Sequence, residues 1–411
     1  MDEKLMKQQE MLTVRINRAG PAPSQAVQCT QYCQRNKTIF VTFVLFVATV
    51  SIATFKLHIG ETKLNWIGRA KPDRAENATK INRNITILMW VPFFGKTFGQ
   101  EVLSTCPDLN CRITNNRSKL KSSSAVVFHD RDVNILDVPK KRLPEQHFVF
   151  FLLESPYHVS GTAFRQLSRG FYTLTMNYRR DADVHFPFGF FKPTSKPLPS
   201  TFWENLRKEV ASKKKLIAWF VSNCHTSSAR EFYVKQLQQY VAVDIYGQCG
   251  PFKCPPNNWH CLETVVRQNY KFYIAFENSV CVDYVSEKYF DRLNDLVVPI
   301  VFGRTIYEQI GPNNSFIAVD DFNSPKELAD YLKRLDKDVD QYLKYFEWMN
   351  RAESFGYKQR YQNGFCNLCR KLQEQEKGSI VTPSKTAKDL TAWYKQPGTC
   401  HSQYGRKVHK L

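Results

Sequence analysis

No internal repeat of fixed period runs through this sequence, which sets solenoids and propellers aside. Zinc-finger spacing and the aromatic sheet motif of nucleic-acid modules are both missing. The positive charge is large, a formal +20, but it is spread along the chain instead of gathered in blocks. Nucleic acid is therefore a poor partner, and an anionic membrane surface or a phosphorylated small molecule fits better. Cys366-x-x-Cys369 has no second CxxC and no histidine pair to complete a zinc site. Apolar residues, in contrast, are plentiful. At 43% hydrophobic and 14% aromatic, 411 residues can bury a real core, so intrinsic disorder is excluded and an anchor plus two ordinary domains fits the length.

Ten of the 12 cysteines lie after residue 100, which an oxidising compartment explains most simply. Asn-x-Ser/Thr sequons at Asn77, Asn84, Asn116 and Asn313 point to the same secretory lumen. Thr38 to Phe55 form an uncharged run of 18 residues between Lys37 and Lys56. As a helix it would span about 27 Å, enough for a thinner early-secretory bilayer. It has no polar face, unlike a core helix of a soluble domain. It also starts too late and runs too long for a cleaved signal core. Flanking charge does not orient it: three Lys/Arg precede it (Arg18, Arg35, Lys37) and five follow (Lys56, Lys63, Arg69, Lys71, Arg74). The sequons and cysteines decide for a luminal C-terminal part. The expected order is a cytosolic tail over 1–37, holding Cys29 and Cys33, a transmembrane signal-anchor over 38–55 and a polar stem over 56–83.

Beyond the stem, short apolar runs alternate with helical patterns. Strands are predicted at 87–91, 125–129, 148–154, 216–222, 243–247, 272–276 and 297–302, and helices at 229–240, 286–294, 325–334 and 338–348. This alternation predicts an α/β protein with parallel sheets covered on both faces. The Pro-rich stretch 191–200 separates a domain over 84–195 from one over 200–395, leaving a tail over 396–411.

Lys271–Gly303 reads as strand, loop, helix, strand. Ser286 is placed as a helix N-cap, with Glu287 and Lys288 in the first turn. The free N–H groups and partial positive charge of a helix start suit a phosphate, and Lys288 adds a full charge. Glu287 could accept hydrogen bonds from a ribose or sugar diol, although a capped helix in an ordinary βαβ unit has the same pattern. Glu154 ends the apolar run FVFFLLE, at the edge where α/β sites open, or simply caps the turn after it. Asp181-Ala-Asp183 has the spacing that holds Mn²⁺ or Mg²⁺ against a diphosphate, but the two carboxylates could instead pair with Arg179 and Arg180. A strand-end histidine such as His129 is more often structural than a ligand contact.

The run FENSVCVDYVSEK at 276–288 closely resembles the donor signature of the α1,3-fucosyltransferases, FEN followed by DY[VI]TEK, with Ser286 in place of the common threonine. The resemblance extends over residues 85–395 and includes ESPYH (154–158), NYRRDADVHFPFG (177–189), VSNCHTSSAR (221–230), VDDFNSPKELADYL (319–332) and CNLC (366–369). It implies a GT-B architecture, two Rossmann-like domains facing across a cleft. It also implies inverting transfer of L-fucose from GDP-β-L-fucose, in α1,3 linkage, to a GlcNAc residue of a glycoprotein glycan in the Golgi, with no metal or other cofactor. On the matching positions Glu154 is the general base, and Arg230 and Lys288 hold the diphosphate. Asn278, Tyr284 and Glu287 contact the fucose or the ribose. Residues 129–132 stand where the family carries His-His-Arg-Glu or His-His-Trp-Asp, a stretch associated with acceptor choice, so His129 and Arg131 are acceptor candidates. Asp130 replaces the second histidine, which leaves the acceptor open between the core GlcNAc of N-glycans and an outer LacNAc or LacdiNAc unit. The resemblance further pairs Cys106 and Cys111 with Cys366 and Cys369, a long closure that stabilises by restricting the unfolded chain in the chain-entropy account. Cys249, Cys254, Cys261 and Cys281 could form two more bridges in any of three connectivities, with Cys224 and Cys400 unassigned. Two other readings stand beside this one: a metal-dependent glycosyltransferase using Asp181 and Asp183, and a catalytically silent Golgi glycan-binding protein.

Overall fold

The structure, a computed structural model, describes residues 84–159, 161–254 and 261–410. The anchor at 38–55, the stem at 56–83, Cys29, Cys33 and the Asn77 sequon lie outside the described residues. Among the described residues no helix is long and apolar enough to cross a membrane.

The first half is a six-stranded parallel sheet of order β2-β1-β3-β4-β5-β6. Its strands are β1 (Ile85–Met89), β2 (Cys111–Thr114), β3 (Ala125–His129), β4 (His147–Leu152), β5 (Leu174–Asn177) and β6 (Val184–His185). A ribbon strand β7 (Phe190–Pro193) leads out of it. The second half is a five-stranded parallel sheet of order β13-β12-β10-β8-β9. It comprises β8 (Lys215–Phe220), β9 (Val243–Tyr246), β10 (Tyr270–Ile274), β12 (Val298–Val301) and β13 (Ile317–Ala318). Two small antiparallel pairs complete the strands: β11 (Val280–Cys281) with β15 (Cys400–His401), and β14 (Ala352–Phe355) with β7. The helices are α1 (Thr162–Leu167), α2 (Ser200–Ser212), α3 (Arg230–Leu237), α4 (Cys261–Asn269), α5 (Glu287–Leu293), α6 (Arg304–Tyr307), α7 (Pro325–Lys337), α8 (Val339–Leu343), α9 (Tyr357–Gln373), α10 (Lys385–Lys388), α11 (Leu390–Tyr394) and α12 (Tyr404–Lys407).

Each predicted apolar run is a strand, because a strand of a parallel sheet is buried on both faces and needs no polar alternation. All five residues of β3 are buried, as are the last five of β4. α7 shows the helical counterpart. Leu328, Leu332 and Leu335 are buried along one stripe, Pro325 occupies the first turn, and the Ser324 hydroxyl caps the Glu327 N–H at 3.1 Å. The helix predicted over 338–348 divides instead into α8 and a 3₁₀ turn over 344–350.

The chain then returns to the first sheet. α9 buries Phe365, Leu368 and Leu372 there completely. A Cβ at Gly364 would lie 2.0 Å from the Phe186 ring, so only glycine allows this approach. Two disulfides, Cys106–Cys366 and Cys111–Cys369, bolt the helix down with the pairing the resemblance implies.

Candidate functional site

The carboxyl end of β10 runs into Phe276-Glu277-Asn278, the start of the donor-like motif. Glu277 is 4% exposed. Its carboxylate accepts the Ser286 N–H at 2.7 Å and the Ser286 hydroxyl at 2.8 Å, and it lies 3.2 Å from the Lys288 ammonium. Burial raises the Glu277 pKa, with Lys288 pulling against it. The Lys288 Nζ also donates to Ser286 Oγ at 2.8 Å and to Glu287 Oε1 at 3.1 Å. Burial works against this ammonium, yet the two glutamates outweigh it and hold it firmly cationic. Partial desolvation would raise Glu287, but Lys288 and Arg360 overcome it and keep the carboxylate ionised. Ser286 is the N-cap of α5, as predicted.

Arg230 opens α3 and is buried. One guanidinium nitrogen donates to the Phe276 carbonyl at 2.8 Å and another to the Asn223 carbonyl at 3.1 Å, while its Nε has no partner among the described residues. The two serines before it grip the same loop. Ser228 N–H and Ser227 Oγ each donate to the Asn278 carbonyl at 3.1 Å, and Ser228 Oγ donates to the Glu277 carbonyl at 2.7 Å. The Asn278 Oδ1 is buried and unpartnered among the described residues. Tyr284 is buried against Tyr178 and Phe188, at ring separations of 5.0 and 5.9 Å. Burial first, then the nearby charges of Glu277, Glu154 and Glu287, push its phenol far above the ordinary range.

Glu154 comes from the other half, two residues beyond β4. It is half-buried, and its carboxylate has no hydrogen bond or ion pair among the described residues. The backbone of its turn is held from several sides. Tyr394 OH donates to the Glu154 carbonyl. The fully buried Ser155 donates to Ser279 Oγ at 2.7 Å, and Ser279 Oγ in turn meets Ser227 Oγ at 3.1 Å. This chain of hydroxyls joins the Glu154 turn, the Asn278 loop and the Arg230 loop. A carboxylate, two cations and several hydroxyl-binding groups thus converge from the ends of both sheets. That set can take a proton from an attacking hydroxyl on one side of a sugar and stabilise a departing diphosphate on the other.

The acceptor candidates divide. Arg131 is exposed and donates to the His158 carbonyl at 3.1 Å, beside the Glu154 turn. His129 has no exposed surface. Its Nδ1 is 2.6 Å from Asp132 Oδ2, and its ring packs at 4.4 Å from Phe93 and 4.7 Å from Phe94. Burial lowers its pKa. It braces Asp132, whose carboxylate also accepts the Phe94 N–H at 2.7 Å, and is not itself a surface contact.

Asp181 and Asp183 do not converge. Asp181 takes a two-pronged pair from Arg179 at 2.8 and 2.7 Å. Asp183 Oδ2 accepts the Thr175 N–H and the hydroxyls of Thr175, Ser384 and Thr386, between 2.6 and 2.9 Å. Arg180 pairs with Asp283 at 2.9 Å, and not with Asp183. That contact ties the first half to the donor-like motif. Among the described residues no group of three or more His, Cys, Asp or Glu is arranged to hold a metal.

The remaining disulfides correct one expectation. Cys254 pairs with Cys261, but Cys249 pairs with Cys224 and Cys281 with Cys400. β8 and β9 are neighbours, so the loops after them abut and bring Cys224 to Cys249, with Cα atoms 5.4 Å apart. Cys281 and Cys400 are register partners in the β11–β15 pair. Sequence spacing reveals neither adjacency. Asn84, Asn116 and Asn313 are exposed.

Glu277, Ser155, Tyr394 and Arg360 belong to the site but were not assigned from sequence. Glu277 stood in plain view inside the FEN run. Arg360, 3.9 Å from Glu287, comes from α9, a helix the pattern did not predict.

Two family descriptions match the chain: "Fucosyltransferase, N-terminal" over residues 82–189, and "Glycosyltransferase family 10 (fucosyltransferase) C-term" over residues 210–393. The chain is 36% identical over 353 residues to alpha-(1,3)-fucosyltransferase C of Drosophila melanogaster, covering 78% of this chain and 80% of that protein. It is 36% identical over 344 residues to 3-galactosyl-N-acetylglucosaminide 4-alpha-L-fucosyltransferase FUT3 of Bos taurus, covering 80% of this chain and 87% of that protein. A crystal structure of an alpha1,3-fucosyltransferase with GDP-fucose aligns with a TM-score of 0.48 and 16% identity, covering 72% of this chain and 93% of that one.

Proposed function

This chain belongs to glycosyltransferase family 10, the fucosyltransferases, and on that premise we propose that it transfers L-fucose from GDP-β-L-fucose, with inversion and in α1,3 linkage, to a GlcNAc residue of a glycoprotein glycan. The observation that carries the reading is that Glu154, whose carboxylate has no hydrogen bond or ion pair among the described residues, sits on a turn joined by the hydroxyl chain Ser155–Ser279–Ser227 to the Asn278 and Arg230 loops, with Lys288 held by Glu277 of the same motif. Inversion by a single displacement needs one carboxylate to accept the acceptor's hydroxyl proton and cations to hold the leaving diphosphate. Glu154 takes the first role. Lys288, kept cationic by Glu277 and Glu287, and Arg230, whose Nε has no partner among the described residues, take the second. These cations meet the diphosphate charge without a metal. Glu287, Asn278 and Tyr284 bind hydroxyls of the fucose and the ribose, and Arg131 meets the acceptor beside the Glu154 turn.

In this reading the two sheets are the halves of a GT-B enzyme, with the acceptor side on the first sheet, over 84–195 together with the returning helix α9, and the donor side on the second sheet, from residue 200 onward. As part of the same proposal, the uncharged run 38–55 anchors it in the Golgi membrane with the catalytic part in the lumen. The Drosophila relative's name carries the α-(1,3) linkage and the bovine one a 4-alpha linkage; the FEN…DYVSEK signature favours α1,3.

The test is Glu154→Gln in the full-length protein, assayed with GDP-fucose and a panel of GlcNAc-terminated glycans. Transfer should fall by about 10²-fold or more, the usual contribution of a positioned base. GDP affinity should hold within about twofold, because the diphosphate is bound by other groups. Undiminished turnover would remove Glu154 from the base role.

A further inference from the structure

The sequence presents 396–411 as a plain tail, with Cys400 unassigned. In the structure this segment crosses the donor-like loops and is joined to each of them. Cys400 is disulfide-bonded to Cys281, and β15 pairs with β11 in the register Val280↔His401 and Cys281↔Cys400. The Val282 N–H donates to the Thr399 carbonyl at 2.8 Å. The segment then turns at Gln403, which has φ of 56°, and its backbone N–H donates to the Ser227 carbonyl at 2.7 Å. Gly405 N–H donates to the Ser228 carbonyl at 2.8 Å. A Cβ on Gly405 would lie 2.4 Å from the Ala229 carbonyl oxygen, so the approach is too close for any other residue. Arg406 lies over the Phe232 ring at 3.9 Å, and Tyr157 of the ESPYH turn reaches the Cys400 carbonyl at 3.5 Å.

Ser227 and Ser228 lead into Arg230, and Val280 and Cys281 lie just after Asn278. Both loops are irregular, and they are held by bonds to one another and to this segment. Ala229, the residue between Ser228 and Arg230, sits in a left-handed conformation with φ of 55°. A non-glycine residue holds that conformation only where its surroundings over-determine it. The Gly405 contact and the Ser228 bond surround it on the tail side.

We infer that residues 399–405 are a positioning strap, holding the 226–230 and 277–281 loops in the one mutual arrangement that binds the nucleotide diphosphate sugar. The inference rests on the donor-site reading above. Without the strap the loops have more than one arrangement open to them, and apparent donor affinity falls in proportion to the fraction that stays competent. The acceptor side, built on the first sheet, is not held by these bonds apart from Tyr157.

Full-length protein in detergent would be compared as wild type, as the double variant Cys281→Ser/Cys400→Ser, which leaves no odd thiol to mispair, and as Gly405→Ala, which retains the disulfide. GDP binding by calorimetry and the separate KM values for GDP-fucose and for the glycan acceptor are the readouts, with circular dichroism for folding. Both variants should bind GDP about tenfold more weakly and show a matching rise in the GDP-fucose KM, as for loops competent about a tenth of the time. The acceptor KM should stay within about twofold. If the double variant does not fold, Gly405→Ala decides alone. Unchanged GDP affinity in a folded variant overturns the strap. So does an equal loss of donor and acceptor affinity in step with lost folded signal, which marks a general structural role. Failure of the wild type to bind GDP overturns the donor-site reading instead.

Discussion

Asp130 holds a carboxyl group that is 6% exposed, with Oδ1 lacking any partner among the described residues. Burial pushes its pKa up to about 7, and Arg131 and Lys395 offset only part of that. A folded-state pKa above the unfolded value means that the native protein holds a proton the unfolded chain has already released. Stability is then fully present below the unfolded value near 3.8 and is lost as pH rises to about 7. Keeping the bare carboxylate buried costs at most about 4 kcal/mol above that pH. Asp130→Asn removes the charge and preserves the shape. It should melt higher than the wild type at pH 7.5, with the gap closing as the buffer is taken towards pH 5. A gap independent of pH across thermal melts would mean that the carboxyl is already solvated or paired. Its neighbour His129 is the opposite case, a base whose pKa burial lowers, and the contrast explains why the 129–132 stretch reads poorly from sequence. Four polar letters in a row suggest a wet, ligand-facing loop, but two of them are buried.

α5 depends on one hydroxyl for two tasks. Ser286 Oγ caps the helix and also donates to Glu277, while accepting from the Lys288 ammonium. Ser286→Ala should cost about 1 kcal/mol for the cap alone. It also leaves the buried Glu277 with one donor fewer, so GDP affinity should fall several-fold through the misplaced Lys288. Ser286→Thr keeps the hydroxyl and should restore both affinity and melting temperature. A threonine variant as weak as the alanine one would show that the hydroxyl is not what matters. This element was legible because cap, charge and apolar run follow in sequence. Others were not, for physical reasons. β5 is wholly buried yet reads Leu-Thr-Met-Asn, because Thr175 bonds Asp183 and Asn177 donates to the Leu152 carbonyl. Buried polar groups that find partners break the apolar pattern without breaking the strand. α9 carries its stripe at Tyr361, Phe365, Leu368 and Leu372, but Gly364 in the middle argues locally against a helix, and only the Phe186 ring explains it.

At the scale of the molecule the two parallel sheets could be read from the apolar runs, whereas the return of the chain to the first sheet could not. Neither periodicity nor propensity encodes a contact between residues 106–111 and 366–369. The two bridges there, with sequence separations of 260 and 258, act on nearly the same loop. In the chain-entropy account the first bridge removes roughly 5–6 kcal/mol of unfolded-state freedom, because it closes the whole span. Once it is in place, the second closes only a ring of about ten residues and adds roughly 3 kcal/mol. The order is arbitrary, so either bridge alone is worth the larger amount when the other is missing. Breaking one pair, as Cys106→Ser/Cys366→Ser or as Cys111→Ser/Cys369→Ser, should therefore lower the urea unfolding free energy by about 3 kcal/mol. Breaking both should lower it by about 8 kcal/mol, more than the two separate losses together. If the losses simply add, each bridge is stabilising its own surroundings in the folded protein, and α9 is not held to the first sheet by a shared constraint on the unfolded chain.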